Sequence, residues 1–290
     1  MQESFNYNEA FSRNLGWLSP TEQQKLRHMR VAIAGLGGAG GVHLLTLARL
    51  GVGKFNIADL DQFALANFNR QAGATISSLG QDKTAVMANL ALEINPELEI
   101  RQFSQGVNIS NLDDFLNSVD VYVDGLDYFV FETRQEVYDA CRAKGIPIII
   151  AVPLGMGASL LNFLPEGPTF EEYFRLQDGP KEDWPIRFLA GVAPALMHRG
   201  YLVYPEIVDF REHRVPSTGI ACQICAGLAA TEALKILLGR GKVLRVPHTI
   251  QFDAYTGKLR HVWRPGGNRH PLQRGAIGYI KWRLKRAGKA

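Results

Sequence analysis

"RVAIAGLGGAGGVHLLTLARLGVGKFNIADLD" (residues 30–61) decides how the chain is read. A short apolar run leads into a glycine turn, then an apolar helical stretch, then a second strand, which is the pattern of a βαβ unit. Gly35, Gly37 and Gly40 fit G-x-G-x-x-G, and Asp59 lies 19 residues past Gly40 at the end of the next strand. That arrangement gathers the N–H groups of a helix N-terminus around phosphate and sets an acid beside a ribose hydroxyl. It points to a nucleotide without choosing which one.

Reading outward, strands and helices keep alternating to about residue 155, which implies an α/β fold: a Rossmann-like, doubly wound, mostly parallel sheet. Upstream, "SPTEQQKLRHM" (19–29) carries Ser19 to cap a helix, Pro20 for its first position and Glu22 to complete a capping box. Downstream come helix "KTAVMANLALEINP", strand "LEIRQFSQGV", short helix "NLDDFLNSV", strand "DVYVDGLD", helix "TRQEVYDACRAKG" and strand "IPIIIAV". Residues 165–185, "PEGPTFEEYFRLQDGPKEDWP", read as an exposed connection rich in Pro and acid. A long helix closed by Gly239 follows, then a hairpin turning at Thr256-Gly257. The division that results is an N-terminal helical segment (1–30), a Rossmann-like nucleotide-binding core (31–160), a C-terminal part of strands and helices (161–262) and a basic tail (263–290).

Composition is that of a soluble globular protein, with 46% hydrophobic and 21% charged residues. Three cysteines do not make a disulfide framework, and "MQESFNYNEAFSRN" lacks a basic-then-apolar signal pattern, so the expected location is the cytoplasm. The uncharged run from Gly145 to Pro165 contains Pro147, Pro153, Gly155 and Gly157, which argue for a buried strand and against a membrane span. Charge is uneven. After Asp253 there are ten Lys or Arg and no acid, which leaves 22 cations against 28 acids before it.

The segment "ADLDQFALANFNRQ" (58–71) extends the ribose acid into Asp61, Asn67, Arg70 and Gln71, and Lys83 and Asp127 follow. A nicotinamide site has little need of more cations once helix amides hold the pyrophosphate. Attack of a carboxylate on the α-phosphate of ATP brings two anions together, and fixed cations with Mg²⁺ are the physical remedy. Arg70 and Lys83 are candidate cations. Asn67 is a candidate for a phosphate oxygen or sugar hydroxyl, and Asp127 for Mg²⁺, at the carboxyl end of its strand. Flanked by cations and a metal, Asp127 reads as an ionised ligand and not as a general acid.

In this order the chain resembles the ThiF/MoeB/HesA family, bacterial relatives of ubiquitin-activating enzymes. The resemblance rests on Gly35-Leu36-Gly37-Gly38-Ala39-Gly40, Asp59-Leu60-Asp61, Asn67-Phe68-Asn69-Arg70-Gln71, Lys83 and Asp124-Gly125-Leu126-Asp127, with a similar late helix, over roughly residues 5 to 260. It implies an ATP-dependent adenylyltransferase that acts on the C-terminal carboxylate of a ubiquitin-like or sulfur-carrier protein and releases pyrophosphate. By the same resemblance, Asp59 binds ribose and Asn67, Arg70 and Lys83 hold phosphates. Asp127 carries Mg²⁺, and Arg13 reaches across a homodimer to the partner's ATP.

Two departures from the family pattern stand out. Tyr128 replaces an expected Asn and Arg134 comes two residues late, so Tyr128, Phe129 and Phe131 would make the groove for an incoming tail more apolar, or else serve as core aromatics. Only one CxxC pair, Cys222 and Cys225, is present. Zinc is therefore not expected, even with His198 or His213 as added ligands. Cys222, at a helix start, is a candidate acyl acceptor with a lowered pKa, against the plain alternative of two packed thiols. The tail sets Leu272, Ala276, Ile277, Ile280 and Leu284 on one helical face with cations opposite. An anionic membrane, RNA, the acidic body of a dimer partner and simple packing on its own domain are the readings weighed. The alternatives to protein activation are adenylation of a tRNA-borne or peptide carboxylate, as in threonylcarbamoyl-adenosine dehydratases, an NAD(P)-dependent oxidoreductase, and a silent scaffold subunit.

Overall fold

The structure, a computed structural model, describes residues 4–286. In chain order its elements are α1 (Tyr7–Ala10), α2 (Pro20–His28), β1 (Arg30–Ala34), α3 (Gly38–Arg49), β2 (Lys54–Ala58), α4 (Lys83–Ile94), β3 (Glu99–Phe103), α5 (Leu112–Phe115), β4 (Val121–Asp124), α6 (Phe131–Ala143), β5 (Ile148–Leu154), β6 (Gly157–Phe163), α7 (Phe170–Phe174), α8 (Trp184–Val192), α9 (Gly219–Leu238), β7 (His248–Asp253), β8 (Lys258–Trp263) and α10 (Pro271–Arg286). Eight strands form one sheet in the order β3-β2-β1-β4-β5-β6-β7-β8. The first five run parallel, and β6, β7 and β8 are added antiparallel. This is the expected doubly wound fold with its C-terminal extension.

Strand side chains alternate between the two faces, and each face has its own core. Val31, Ile33, Phe55, Ile57 and Val123 meet Leu44, Leu47, Met87 and the α9 residues Ala229 and Ala233. Ala32, Ala34, Tyr122, Ile148 and Ile150 face Phe115, Val137, Tyr138, Phe170, Phe174 and Phe188. Helix α9 is 20 residues long and apolar enough to cross a membrane by composition, but half of that stretch is buried. It is a core helix packed on α3, β5 and β6. The N-terminal segment is fastened to the α3–β2 turn, where the Tyr7 hydroxyl donates to Gly51 O at 2.6 Å and Gln23 Nε2 to Leu50 O at 3.1 Å. The capping box at Ser19 and Glu22 is formed, and Gly239 ends α9 in a left-handed conformation.

Three expectations need correction. The uncharged run 145–165 is two strands, not one: β5 and β6 fold back through a turn at Gly155, pairing Leu154 with Gly157. Strand β6 also crosses the division drawn at residue 160. The stretch 165–185 is not simply an exposed connection. Thr169 and Glu172 form a capping box that starts α7, and Phe170, Tyr173 and Phe174 are buried. Their spacing puts three rings on one face of a single turn, which outweighs the acid and proline around them. In the tail helix the docked face is Gln273, Ile277, Ile280 and Leu284. Ile277 meets Ile186 and Ala190 of α8, whereas Leu272 is 61% exposed.

His43 on α3 is fully buried, and neither ring nitrogen has a partner among the described residues. Burial lowers its pKa from 6.5 to about 4. Between those values the unfolded chain binds a proton that the folded chain does not, so stability falls as the pH drops from 6.5 toward 4. The loss attributable to His43 approaches about 3 kcal/mol at the low end. Urea melts of His43→Leu should show a flatter acid limb across that window than the parent; parallel limbs would show that His43 does not titrate this way.

Candidate active site

The glycine turn after β1 divides its residues between two tasks. Gly35 has φ +83° and donates to Ala58 O at 2.7 Å, and a Cβ on it would lie 2.2 Å from Gly125 O. A Cβ on Gly40 would lie 1.7 Å from Gly35 O, and one on Gly125 would lie 2.8 Å from Gly40 Cα. These three positions let β1, α3 and β4 touch backbone to backbone. Gly37 and Gly38 remain half-exposed at the lip. Gly37 is the N-cap of the 12-residue α3 and offers no side-chain cap, so the first N–H groups of that helix are left for a ligand.

The acidic end of β2 is tied to this turn. Asp59 Oδ2 accepts from Leu36 N–H at 2.6 Å, and Oδ1 accepts from Asp61 N–H at 2.9 Å. Asp61 is exposed and receives Lys83 Nζ at 2.8 Å, and Lys83 itself is 5% exposed at the start of α4. Gln71 is buried beside Gly37, with its Nε2 3.6 Å from where a Cβ would stand and its Oε1 without a partner among the described residues. Arg70 flanks Gly38 and bonds to Ala66 O and Asn69 Oδ1, both at 2.9 Å. Asn67 spends its Oδ1 on Ala64 N–H at 2.9 Å, closing its own turn. Gly37, Gly38, Asp59, Arg70 and Gln71 are thus linked around one lip, with Asp61 and Lys83 joined through Asp59.

Asp127 is reached from the same lip through Gly125. Strand β4 ends at Asp124, three residues earlier than the sequence suggested, so Asp127 belongs to a loop. Its carboxylate is exposed, and Oδ1 accepts from Phe129 N–H at 3.1 Å. Arg134, the arginine that arrives late, organises the loop from within. Its Nε donates to Asp124 Oδ2 at 2.8 Å, and its terminal nitrogens donate to Leu126 O, Asp127 O and Val130 O at 2.9 Å. Asp124 also takes Leu126 N–H and the Tyr138 hydroxyl, both at 2.9 Å. Of the aromatics expected to line a groove, Phe131 is buried, and Tyr128 donates its hydroxyl to Pro185 O at 2.6 Å. Phe129 stacks on His213 with ring centres 4.4 Å apart. The role of Arg134 was not read from sequence; its spacing from Asp124, on one face of the helix start, is the signal that could have given it.

Cys222 sits closer to the site than its sequence position suggests, with its Sγ 2.8 Å from where a Cβ on Gly38 would be. The expected lowering of its pKa is corrected. Burial pushes the thiol up and outweighs the Ser217 hydrogen bond and the Arg70 charge, because the side chain is only 1% exposed. Cys225 is buried in the core beside α3, His213 lies against Phe129, and His198 packs at the Gly155 turn. Among the described residues no group of three or more His, Cys, Asp or Glu is gathered for a metal. Arg13 is exposed in the segment bound to the far end of α3, where the Asn14 amide meets Leu50 O at 3.2 Å. A 12-residue helix is about 18 Å long, so within one chain Arg13 stands apart from the glycine lip.

All three thiols are buried and carry raised pKa values. Ellman's reagent at pH 8 should therefore label almost none of them in the folded protein and all three after denaturation. Rapid native labelling that Cys222→Ser abolishes would show instead that this thiol is open and reactive.

A model of the ThiF family matches residues 11–274. The sulfur carrier protein ThiS adenylyltransferase of Escherichia coli strain K12 is 35% identical over 143 residues, covering 49% of this chain and 56% of that protein. The chain thus spans little more than half the length of that relative. The SAMP-activating enzyme E1 of Haloferax volcanii is 28% identical over 227 residues, covering 78% of this chain and 74% of that one. Among solved structures, E. coli MccB with ATP is similar in fold, with a TM-score of 0.65 and 22% identity over 89% of this chain and 73% of that one. The family match runs from the N-terminal segment through the glycine lip, the Asp127 loop and α9 into the tail helix, and the chain belongs to the ThiF family.

Proposed function

We propose that the protein is an ATP-dependent adenylyltransferase that activates the C-terminal carboxylate of a small ubiquitin-like or sulfur-carrier protein, or of a peptide. The observation that carries this reading is the lip itself. Arg70 and Gln71 are packed against the uncapped start of α3, and a desolvated Lys83 stands one ion pair away. A dinucleotide site has no use for those two cations; a triphosphate under attack by a carboxylate does. The relatives named above, an adenylyltransferase of a sulfur carrier and an activating enzyme, support the same reading.

The residues fit the nucleotide. Gly37 and Gly38 leave the first N–H groups of α3 uncovered, with Gln71 beside Gly37, and a Cβ on Gly38 would crowd Cys222 Sγ and Arg70. Asp59 keeps acceptor capacity for a ribose hydroxyl, since each oxygen takes only one N–H. Asn67 offers its amide nitrogen, and Arg70 and Lys83 offer charge to the phosphates. Asp127 would be the protein's one carboxylate on Mg²⁺, consistent with the habit of that ion of drawing most of its ligands from phosphate and water. ATP supplies the activated phosphorus, and the acceptor carboxylate displaces pyrophosphate from it. The chain's own work is to hold Asp59, Arg70, Lys83 and Asp127 in fixed geometry, so that charge developing in the transition state meets groups already in place. Arg13 completes the site from the partner in a cytoplasmic homodimer.

Purified protein with MgATP and a matched carboxylate acceptor should exchange labelled pyrophosphate into ATP. Arg70→Ala and Asp127→Ala should each cut that exchange by roughly a hundredfold or more while thermal melts stay near the parent's. Undiminished exchange in both would remove these residues from the site. A tRNA acceptor in the same assay separates the tRNA-carboxylate alternative. Mixing Arg13→Ala with Asp127→Ala should restore activity, because one site of each hybrid dimer has both groups intact; no recovery would place Arg13 outside the partner's site.

A further inference from the structure

Segment 202–216 crosses from α8 toward α9 and carries Phe210 to a position between the Asp127 loop and the tail helix. On one side the Phe210 ring stacks on Tyr128, with centroids 6.1 Å apart and planes 13° from parallel, and meets the edge of Phe129 at 6.3 Å. On the other side it packs on the small core formed by Ile186, Ala190 and Ile277, the same core that Ile280 and Leu284 of α10 pack against. Both neighbours in the loop are anchored. Tyr128 is fixed by its hydroxyl to Pro185 O and by its ring against Phe188 at 5.3 Å, and Phe129 by its stack on His213. Phe129 also donates its N–H to Asp127 Oδ1.

We infer that Phe210 is a positioning residue for Asp127, and that the tail helix acts on the site through it. The Asp127 loop has two supports of different kinds. Arg134 holds its carbonyls from inside the fold. Its outer surface is an aromatic contact with Phe210, and Phe210 rests on the same small core of Ile186, Ala190 and Ile277 that Ile280 and Leu284 cover. Aromatic pairs of this geometry stabilise a contact beyond the area that they bury. Removing the ring takes away two of them from a loop whose hydrogen bonds then have solvent on one side. The basic tail, an appendage by composition, is on this view a buttress of the catalytic loop.

The effect is local, so the test is local. Hydrogen exchange followed by mass spectrometry in the free full-length protein should show faster exchange in peptides spanning 125–131 of Phe210→Ala, by roughly tenfold, with β1 and β2 unchanged. Phe210→Tyr, which keeps the ring, should restore the parent rate. The double variant Ile280→Ala/Leu284→Ala should reproduce the Phe210→Ala pattern without any change to the segment itself. Unchanged exchange at 125–131 in Phe210→Ala, or in the double variant, would overturn the inference, as would acceleration spread over the whole chain. These readouts need no nucleotide and stand whether or not the protein adenylates anything. The kinetic arm rests on the adenylation reading: Phe210→Ala should lower kcat for pyrophosphate exchange and leave the KM for ATP near the parent's, because the glycine lip is untouched. An unchanged kcat would show that the loop does not need the ring.

Discussion

Everything at the candidate site depends on how near β1, α3 and β4 come to one another. The approach is set by missing side chains: Gly35, Gly40 and Gly125 meet where no other residue fits. It fixes the start of α3 against the end of β4, and so puts the uncapped amides of α3 and the Asp127 loop at one edge of the sheet. A methyl at Gly40 would overlap the Gly35 carbonyl outright, and the helix would have to move away from the strand. The fingerprint is usually taken as a statement about phosphate. Here two of its glycines close the fold, and Gly37 and Gly38 stand half-exposed at the lip.

Above that contact the loop is held by a charge kept inside the protein. Arg134 and Asp124 are both nearly inaccessible, and the guanidinium satisfies three carbonyls as well as the carboxylate. Breaking such a pair from one side typically costs about 3–5 kcal/mol, because the remaining charge is stranded. The pair is a rigid internal template. Through those carbonyls it fixes the backbone of residues 124–130, the segment that carries the exposed Asp127 carboxylate.

Much of this was legible in the sequence. The βαβ unit, the capping box at Ser19, the αL glycine after α9 and the hairpin at Gly257 each have local signatures, and local signatures survive folding. The clustering of Asp59, Arg70 and Gln71 around the glycine turn followed from their order. What stayed hidden was tertiary. Nothing near Cys222 in the chain says that a helix starting at Gly219 will lay its thiol on Gly38. The pairing of Lys83 with Asp61 is set by how the 62–82 loop closes, and the role of Arg134 by a strand that ends three residues early. The β6 strand was obscured because it shares one uncharged run with β5, and α7 because acid and proline surround its three buried rings.

The Lys83–Asp61 pair has a consequence for how the protein behaves alone. The ammonium is stripped of water and held by a carboxylate that is itself 57% exposed. Its counter-ion is reached by water while the ammonium is not. Any anion that takes up this ammonium has first to compete with Asp61 for it, and the carboxylate so released is already open to solvent.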